Sequence, residues 1–379
     1  MSRPQRIVVV GNGIAGVTAA DALRGAGHDG ELTIVGDEMH AAYSRPALSK
    51  ALLNTADDTT SHELPEATHE AVELLGRRAA ALDVDRRLVV LDDGERLPYD
   101  GLVVASGCRA RRLGEADSGE ITLRTLDDAL LLRGRVAARP SVLVVGGGPL
   151  GMEIASGCLA MGCEVTLVSQ GRPLVPQLGS HVSDIFVSAA EALGLRIVVT
   201  DLATVHRAGG DTRVVLSDGT CLDAELVVTA AGDLPNVEWL GSSGLLDDGA
   251  LVVDSRGRVR SDMVAAGDVA TLPTRRGLRR VPLWTSAIDQ GKAAAAALLH
   301  GEDAPPLDLR QYFWTEQFGL ALKAAGDLPV DGEPTWLDGD RDAGTALLRW
   351  ERADGTAAAA AINYRIPVPR LRRLCEPAA

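Results

Sequence analysis

Ile7-Val-Val-Val-Gly11-Asn-Gly13-Ile-Ala-Gly16 and Val142-Leu-Val-Val-Gly146-Gly-Gly148-Pro-Leu-Gly151 are two copies of one pattern, about 135 residues apart (7 to 142). In each, a run of strand-forming apolar residues breaks at a glycine, and a helix-forming stretch begins within a few positions. Glycines at these offsets allow a tight turn, a close approach of backbone to a pyrophosphate, and close packing of helix on strand. The helix that follows offers its first N–H groups to the phosphates. A second apolar run, 32–35 in the first copy and 165–168 in the second, completes a strand–helix–strand unit each time. The chain therefore reads as α/β, with two Rossmann-like dinucleotide-binding domains.

Composition agrees and removes other classes. The 379 residues are 46% apolar and include 41 glycines but only 3% aromatics, which favours a turn-rich α/β enzyme of two or three domains over a β-sandwich. With 38 basic against 52 acidic side chains, a net charge of −14 makes nucleic acid and anionic membranes poor partners. No apolar run reaches the span of a membrane helix, and the first apolar run stops at Gly11, which is not a secretory pattern. Five scattered cysteines argue against a disulfide framework and for a reducing cytoplasm. The seven histidines show no ligand spacing, so no metal site is expected.

The two units end differently. Asp37 and Glu38 follow the first unit's second strand, where a carboxylate can accept a hydrogen bond from an adenosine ribose hydroxyl. In the second unit that place is taken by Ser169, with Arg172 three residues on and no carboxylate before Asp184. A hydroxyl and a guanidinium suit a 2′-phosphate, which favours NADPH and leaves NADH open. Hairpin-like segments follow both units, at 88–94 and 99–105 and again at 214–219 and 224–229. An alanine-rich helix over 285–299 precedes Pro305-Pro306, and the final stretch reads as a small α+β domain.

The stretch Tyr43-Ser-Arg45-Pro46-Ala-Leu-Ser49-Lys50 resembles a signature of FAD-dependent ferredoxin reductases of the putidaredoxin reductase and rhodocoxin reductase type. Ala105-Ser106-Gly107, Leu123-Arg124-Thr-Leu-Asp-Asp128, Ala266-Gly267-Asp268-Val, Gln290-Gly291 and Tyr312-Phe-Trp-Thr-Glu-Gln-Phe318 extend the likeness in order over the whole chain. The resemblance implies a glutathione-reductase-like fold: an FAD domain over 1–112 and 231–303, an NAD(P)H domain over 113–230, and a C-terminal interface domain over 304–379. It gives the FAD Gly11, Gly13, Ala15, Gly16, Asp37, Glu38, Arg45, Pro46, Ala79, Ala105, Ser106, Gly107, Arg124, Gly267, Asp268, Trp284 and Thr285. Gly146, Gly148, Leu150, Gly151, Ser169 and Arg172 fall to the nicotinamide nucleotide. Lys50 matches a lysine at the flavin edge, and Glu153 a carboxylate that pairs with it, the candidate catalytic pair. Lys50 is one of three lysines against 35 arginines, so composition alone does not account for it.

The implied activity passes electrons from NAD(P)H through FAD to an acidic [2Fe–2S] ferredoxin that serves a cytochrome P450 or a Rieske-type oxygenase. The protein would act as a monomer or weak homodimer and meet that ferredoxin transiently. Basic clusters at 109–112, 275–280 and 370–373 are candidates for meeting it. Pro149, Leu150 and Pro282 depart from the family pattern, as does a short loop after Lys50. They keep a second reading open, a flavin enzyme acting directly on a small molecule with a degraded nicotinamide site. A redox-controlled interaction protein is a third. The first glycine helix has no cysteine, which argues against disulfide chemistry, while Cys158 and Cys163 read as small core residues on the second helix.

Overall fold

The computed structural model describes residues 4–50, 53, 62–209, 211–352 and 355–376, which gather into two compact units. One comprises Met1–Ser44, Glu63–Arg109 and Leu234–Leu309; the other comprises Arg45–His62, Ala110–Asp233 and Arg310–Ala379. Each contains one glycine turn. The described residues of 45–62 and 310–379 thus gather with the second turn, a grouping that sequence alone did not suggest. Part of the short loop after Lys50 lies outside the described residues.

The first unit is built on a sheet ordered Arg258–Arg260, Met263–Ala265, Gly101–Val104, Arg6–Val10, Glu31–Gly36, Val72–Leu75. Strand Arg6–Val10 runs parallel to both neighbours, pairing Val9 with Ile34 and with Val103. Side chains alternate across it. Val8 and Val10 join the core beneath the antiparallel sheet of Ala79–Asp83, Leu88–Leu91 and Arg96–Pro98. Ile7 and Val9 face the helices Ile14–Gly25 and Trp284–His300. Burial on both faces explains an unbroken apolar run where a half-exposed strand would alternate. Each such side chain contributes about 1.5–3 kcal/mol. The two helices approach closely because their contact is made of small residues; a Cβ on Gly291 would lie 2.7 Å from the Ala15 carbonyl oxygen.

The second unit repeats the plan. Its parallel sheet is ordered Arg196–Val199, Glu164–Ser169, Ser141–Val145, Leu226–Thr229, Ile121–Thr122, with helix Pro149–Ala160 following the glycine turn. It adds an antiparallel five-stranded sheet, Tyr312–Gln317, Leu320–Gly326, Ala357–Ile362, Ala346–Glu351, Thr335–Asp338.

Two expectations are corrected. The alanine-rich helix begins at Trp284, so the tryptophan opens the helix and Leu283 is its N-cap. Cys163 is not on the second helix: that helix stops at Ala160, and Cys163 closes the turn, its N–H donating to the Cys158 carbonyl. Both thiols are buried, Cys158 completely, and burial pushes the Cys158 thiol up to about 12. No described helix is long and apolar enough to cross a membrane.

Candidate functional site

The first glycine turn has room where a dinucleotide needs it and none elsewhere. Gly11 holds φ +121°, and a Cβ there would sit 2.0 Å from the Ala105 carbonyl oxygen. A Cβ on Gly16 would meet the Gly11 carbonyl oxygen at 1.9 Å, whereas one on Gly13 would meet nothing within 4 Å. Gly13 is also the helix N-cap, with no side-chain cap and no acidic residue in the first turn, so the first N–H groups face that open side.

At the strand ends, Ser106 and Asn236 lock reciprocally: Ser106 Oγ donates to the Asn236 carbonyl at 2.8 Å, and Asn236 Nδ2 returns a bond at 2.9 Å. Gly267 N–H donates to Gln290 Oε1 at 3.0 Å, which fixes the loop carrying Asp268. Cys108 Sγ lies 3.4 Å from Asp268 Oδ2, and Arg280 Nη1 donates to the Asp268 carbonyl at 3.1 Å. Arg280 is therefore partly buried loop support, while Arg279 stands exposed. At the head of helix Trp284–His300 the Ser286 hydroxyl is buried without a partner among the described residues. After the second strand, Asp37 is exposed and paired to Arg78 at 3.1 Å, and Glu38 accepts from the Tyr43 hydroxyl at 2.5 Å. Ala79 is buried on its strand.

The second turn reproduces the first. Gly146 holds φ +129°, with the Ala230 carbonyl oxygen 2.2 Å from where a Cβ would stand; at Gly151 the Gly146 oxygen is 1.8 Å away. Gly148 is an uncapped N-cap, and Pro149 at the first helical position supplies the φ a helix needs without removing a needed donor. Leu150 follows it within the helix. Ser169 is buried, its hydroxyl 2.0 Å from a Cβ on Gly147. Arg172 is held by Asp184, Nε to Oδ1 at 2.6 Å. Of the two groups read from the sequence as a phosphate site, the guanidinium is thus already paired and the hydroxyl belongs to a buried residue.

In the same unit, Arg45–Ala47 form a short 3-10 turn that includes Pro46, and Arg45 Nη1 donates to the Arg124 carbonyl at 2.8 Å. Arg124 is fixed by a capping box: Thr125 accepts from Asp128 N–H, and the Asp128 carboxylate accepts from Thr125 N–H and Arg124 N–H. Beyond that turn Lys50 Nζ lies 2.8 Å from Glu153 Oε1, both side chains largely buried. Glu153 also accepts from Ser49 Oγ on Oε2 and from Thr315 Oγ1 on Oε1, each at 2.5 Å. The Lys50 ammonium is 5.8 Å from the Trp314 ring centroid. Phe318 N–H donates to Ser156 Oγ at 2.8 Å, tying the strand to helix Pro149–Ala160.

The structure therefore brings Lys50 and Glu153 together as expected and adds Ser49 and Thr315. Both lie inside the quoted motifs, but what a hydroxyl does depends on what faces it, here a carboxylate more than 100 residues away in sequence. The two turns fit dinucleotides on three grounds: cradles that a Cβ would fill, helix starts without a side-chain cap, and an orphaned hydroxyl at the head of a third helix. The group first expected as a docking patch is partly engaged, since Arg109 pairs with Glu238 at 2.6 Å and Arg112 donates to the Glu120 carbonyl.

Residues 5–291 match the family model for pyridine nucleotide-disulphide oxidoreductases. The chain is 31% identical to the 3-phenylpropionate/cinnamic acid dioxygenase ferredoxin–NAD(+) reductase component of Photorhabdus laumondii, over 98% of this chain and 96% of that one. It is 35% identical to the chlorobenzene dioxygenase ferredoxin reductase component of a Cupriavidus species, covering 98% and 92%. The crystal structure of the ferredoxin reductase for the CYP199A2 system of Rhodopseudomonas palustris superposes with a TM-score of 0.85 at 30% identity, over 95% of this chain and 91% of that one. A two-dinucleotide fold with these glycine turns defines a class of flavin and nicotinamide oxidoreductases. The chain belongs to the pyridine nucleotide-disulphide oxidoreductase family.

Proposed function

We propose that the chain is an FAD-dependent ferredoxin–NAD(+) reductase that draws electrons from NADH and passes them to a [2Fe–2S] ferredoxin serving a P450 or Rieske-type oxygenase. The observation that carries this reading is the buried Lys50–Glu153 pair, built on the helix of the second glycine turn. FAD belongs to the first turn, with Gly11, Gly13, Gly16, Asp37, Ala105–Gly107, Asp268 and the head of helix Trp284–His300 as its holders. NAD(H) belongs to Gly146, Gly148, Leu150 and Gly151. In domain terms, 1–112 with 231–303 bind FAD, 113–230 bind NAD(H), and 304–379 form the interface domain.

When bound, FAD supplies the conversion of a two-electron donor into single electrons for an iron–sulfur protein. The protein supplies position and charge. Lys50 presents a compact ammonium whose counter-ion is fixed, so that its charge stays directed at one place. The first-turn N–H groups of Ile14–Gly25 and Pro149–Ala160 hold pyrophosphate oxygens. NADH is the proposed donor because Asp184 occupies Arg172 and Ser169 is a buried residue. The intact second turn speaks against a degraded nicotinamide site. Exposed Arg275, Arg276 and Arg279 on the hairpin of Ala270–Thr274 and Gly277–Arg279 suit an acidic ferredoxin met transiently. A cytoplasmic location and a monomer or weak homodimer complete the reading.

Anaerobic mixing with NADH, followed at the flavin absorbance band, tests it. Prompt bleaching and onward reduction of a [2Fe–2S] ferredoxin are expected. A colourless protein, or a yellow one that neither NADH nor NADPH bleaches, overturns it. Lys50→Met should keep its colour and bleach about 100-fold more slowly, the scale of losing one preorganised electrostatic group. Arg279→Glu should raise the KM for ferredoxin and leave bleaching unchanged.

A further inference from the structure

We propose that Thr315 is a positioning residue for the Lys50–Glu153 pair, orienting the Glu153 carboxylate through a one-way chain of hydrogen bonds that begins at Gln317. The proposal rests on the reading of that pair given above. Thr315 and Gln317 are two apart on strand Tyr312–Gln317 and so share a face, and both are buried, Thr315 completely. Gln317 Nε2 lies 3.0 Å from Thr315 Oγ1, and Thr315 Oγ1 lies 2.5 Å from Glu153 Oε1.

The direction of the chain follows from what each group can do. An amide nitrogen only donates, so the Thr315 oxygen accepts from Gln317, and its single proton is left for Glu153. Ser49 donates to the other carboxylate oxygen, and the Lys50 ammonium shares Oε1 with Thr315. Glu153 thus receives three donors, which together fix where its two oxygens lie. The last strand before Phe318 therefore sets the orientation of the carboxylate that Lys50 faces. Were the Gln317 amide turned the other way, its oxygen would take the Thr315 proton and Glu153 would lose that donor.

The three lysines of the chain make a direct test possible. The FAD-bound protein is labelled with 13C,15N-lysine, Lys50 is assigned with Lys50→Arg, and its Nζ and Cε signals are recorded at one fixed pH, where they report how the ammonium is held by its carboxylate partner. Thr315→Val removes the donor at nearly constant volume and should displace both signals. Thr315→Ser should restore them, and Gln317→Met should displace them the same way by less. Unmoved signals in Thr315→Val, or no restoration in Thr315→Ser, overturn the proposal. If Thr315→Val does not fold, unmoved signals in Gln317→Met overturn it alone. The measurement uses no turnover, so a protein that fails to reduce ferredoxin can still pass it, which keeps the two failures apart.

Discussion

The two glycine turns share a cradle but differ in what lies beyond it. Gly11 and Gly146 both hold a left-handed φ under a carbonyl oxygen of a neighbouring strand end, and Gly16 and Gly151 both press against the turn's first carbonyl. After the second strand the likeness ends. The first unit presents exposed Asp37, balanced by Arg78, while the second buries Ser169 and clamps Arg172 on Asp184. The phosphate cradle is set by backbone geometry, which at Gly11, Gly16, Gly146 and Gly151 leaves no room for a Cβ. Choice of nucleotide is set by a few side chains whose state depends on their neighbours. A motif therefore identifies the first reliably and the second poorly.

The sharpest way to break the comparison is to spoil each cradle in turn. Gly11→Ala and Gly146→Ala both force a Cβ to within about 2 Å of a carbonyl oxygen, at 2.0 and 2.2 Å, in a backbone conformation that alanine disfavours. Gly11→Ala should yield protein without visible flavin. Gly146→Ala should remain yellow, be reducible by dithionite, and fail to bleach with NADH. Visible spectra of the purified variants decide between them. Flavin lost from Gly146→Ala and kept by Gly11→Ala would exchange the roles of the two turns.

A smaller effect is expected where the units differ. Arg172 and Asp184 are both well exposed, and such a pair holds together by less than about 1 kcal/mol. Asp184→Asn should free the guanidinium for a 2′-phosphate and raise kcat/KM for NADPH relative to NADH about 5- to 10-fold, the scale of one charge-assisted hydrogen bond. Steady-state kinetics with both donors measures the ratio. If it does not move, Arg172 has no part in donor choice, and the sequence reading that favoured NADPH loses its remaining support.

What the sequence made legible follows the same division. Both strand–helix–strand units and the buried parallel strands could be read because each depends on local spacing, and the Lys50–Glu153 pair because the family resemblance implied it. The state of Arg172 could not be read, because its partner lies twelve positions on, in the helix Ser180–Ala192, and nothing local says they meet. Thr315 was hidden for a similar reason. It occupies a strand position that suits any β-branched residue, and only the burial of Glu153 against it turns a packing residue into a donor. Cys163 was misplaced by a single turn, since the helix ends at Ala160, with Gly162 in the left-handed region just beyond.

That misplaced cysteine leads to the finest test of whether the second unit is the one that holds the nicotinamide nucleotide. Its helix carries Cys158, completely buried; the first unit's helix carries no thiol. Burial pushes the Cys158 thiol up to about 12 and shields it, so it should react with a maleimide far more slowly than exposed Cys221. What limits Cys158 is opening of the helix that follows Gly148. A ligand that binds only the closed form slows opening by the factor 1 + [L]/Kd. NAD+ at about twice its Kd should therefore slow Cys158 labelling about threefold and leave Cys221 unaffected, as peptide mass spectrometry of the labelled protein would show. Equal slowing at both thiols would point to a global effect, and no slowing at Cys158 would remove the nucleotide from the second turn.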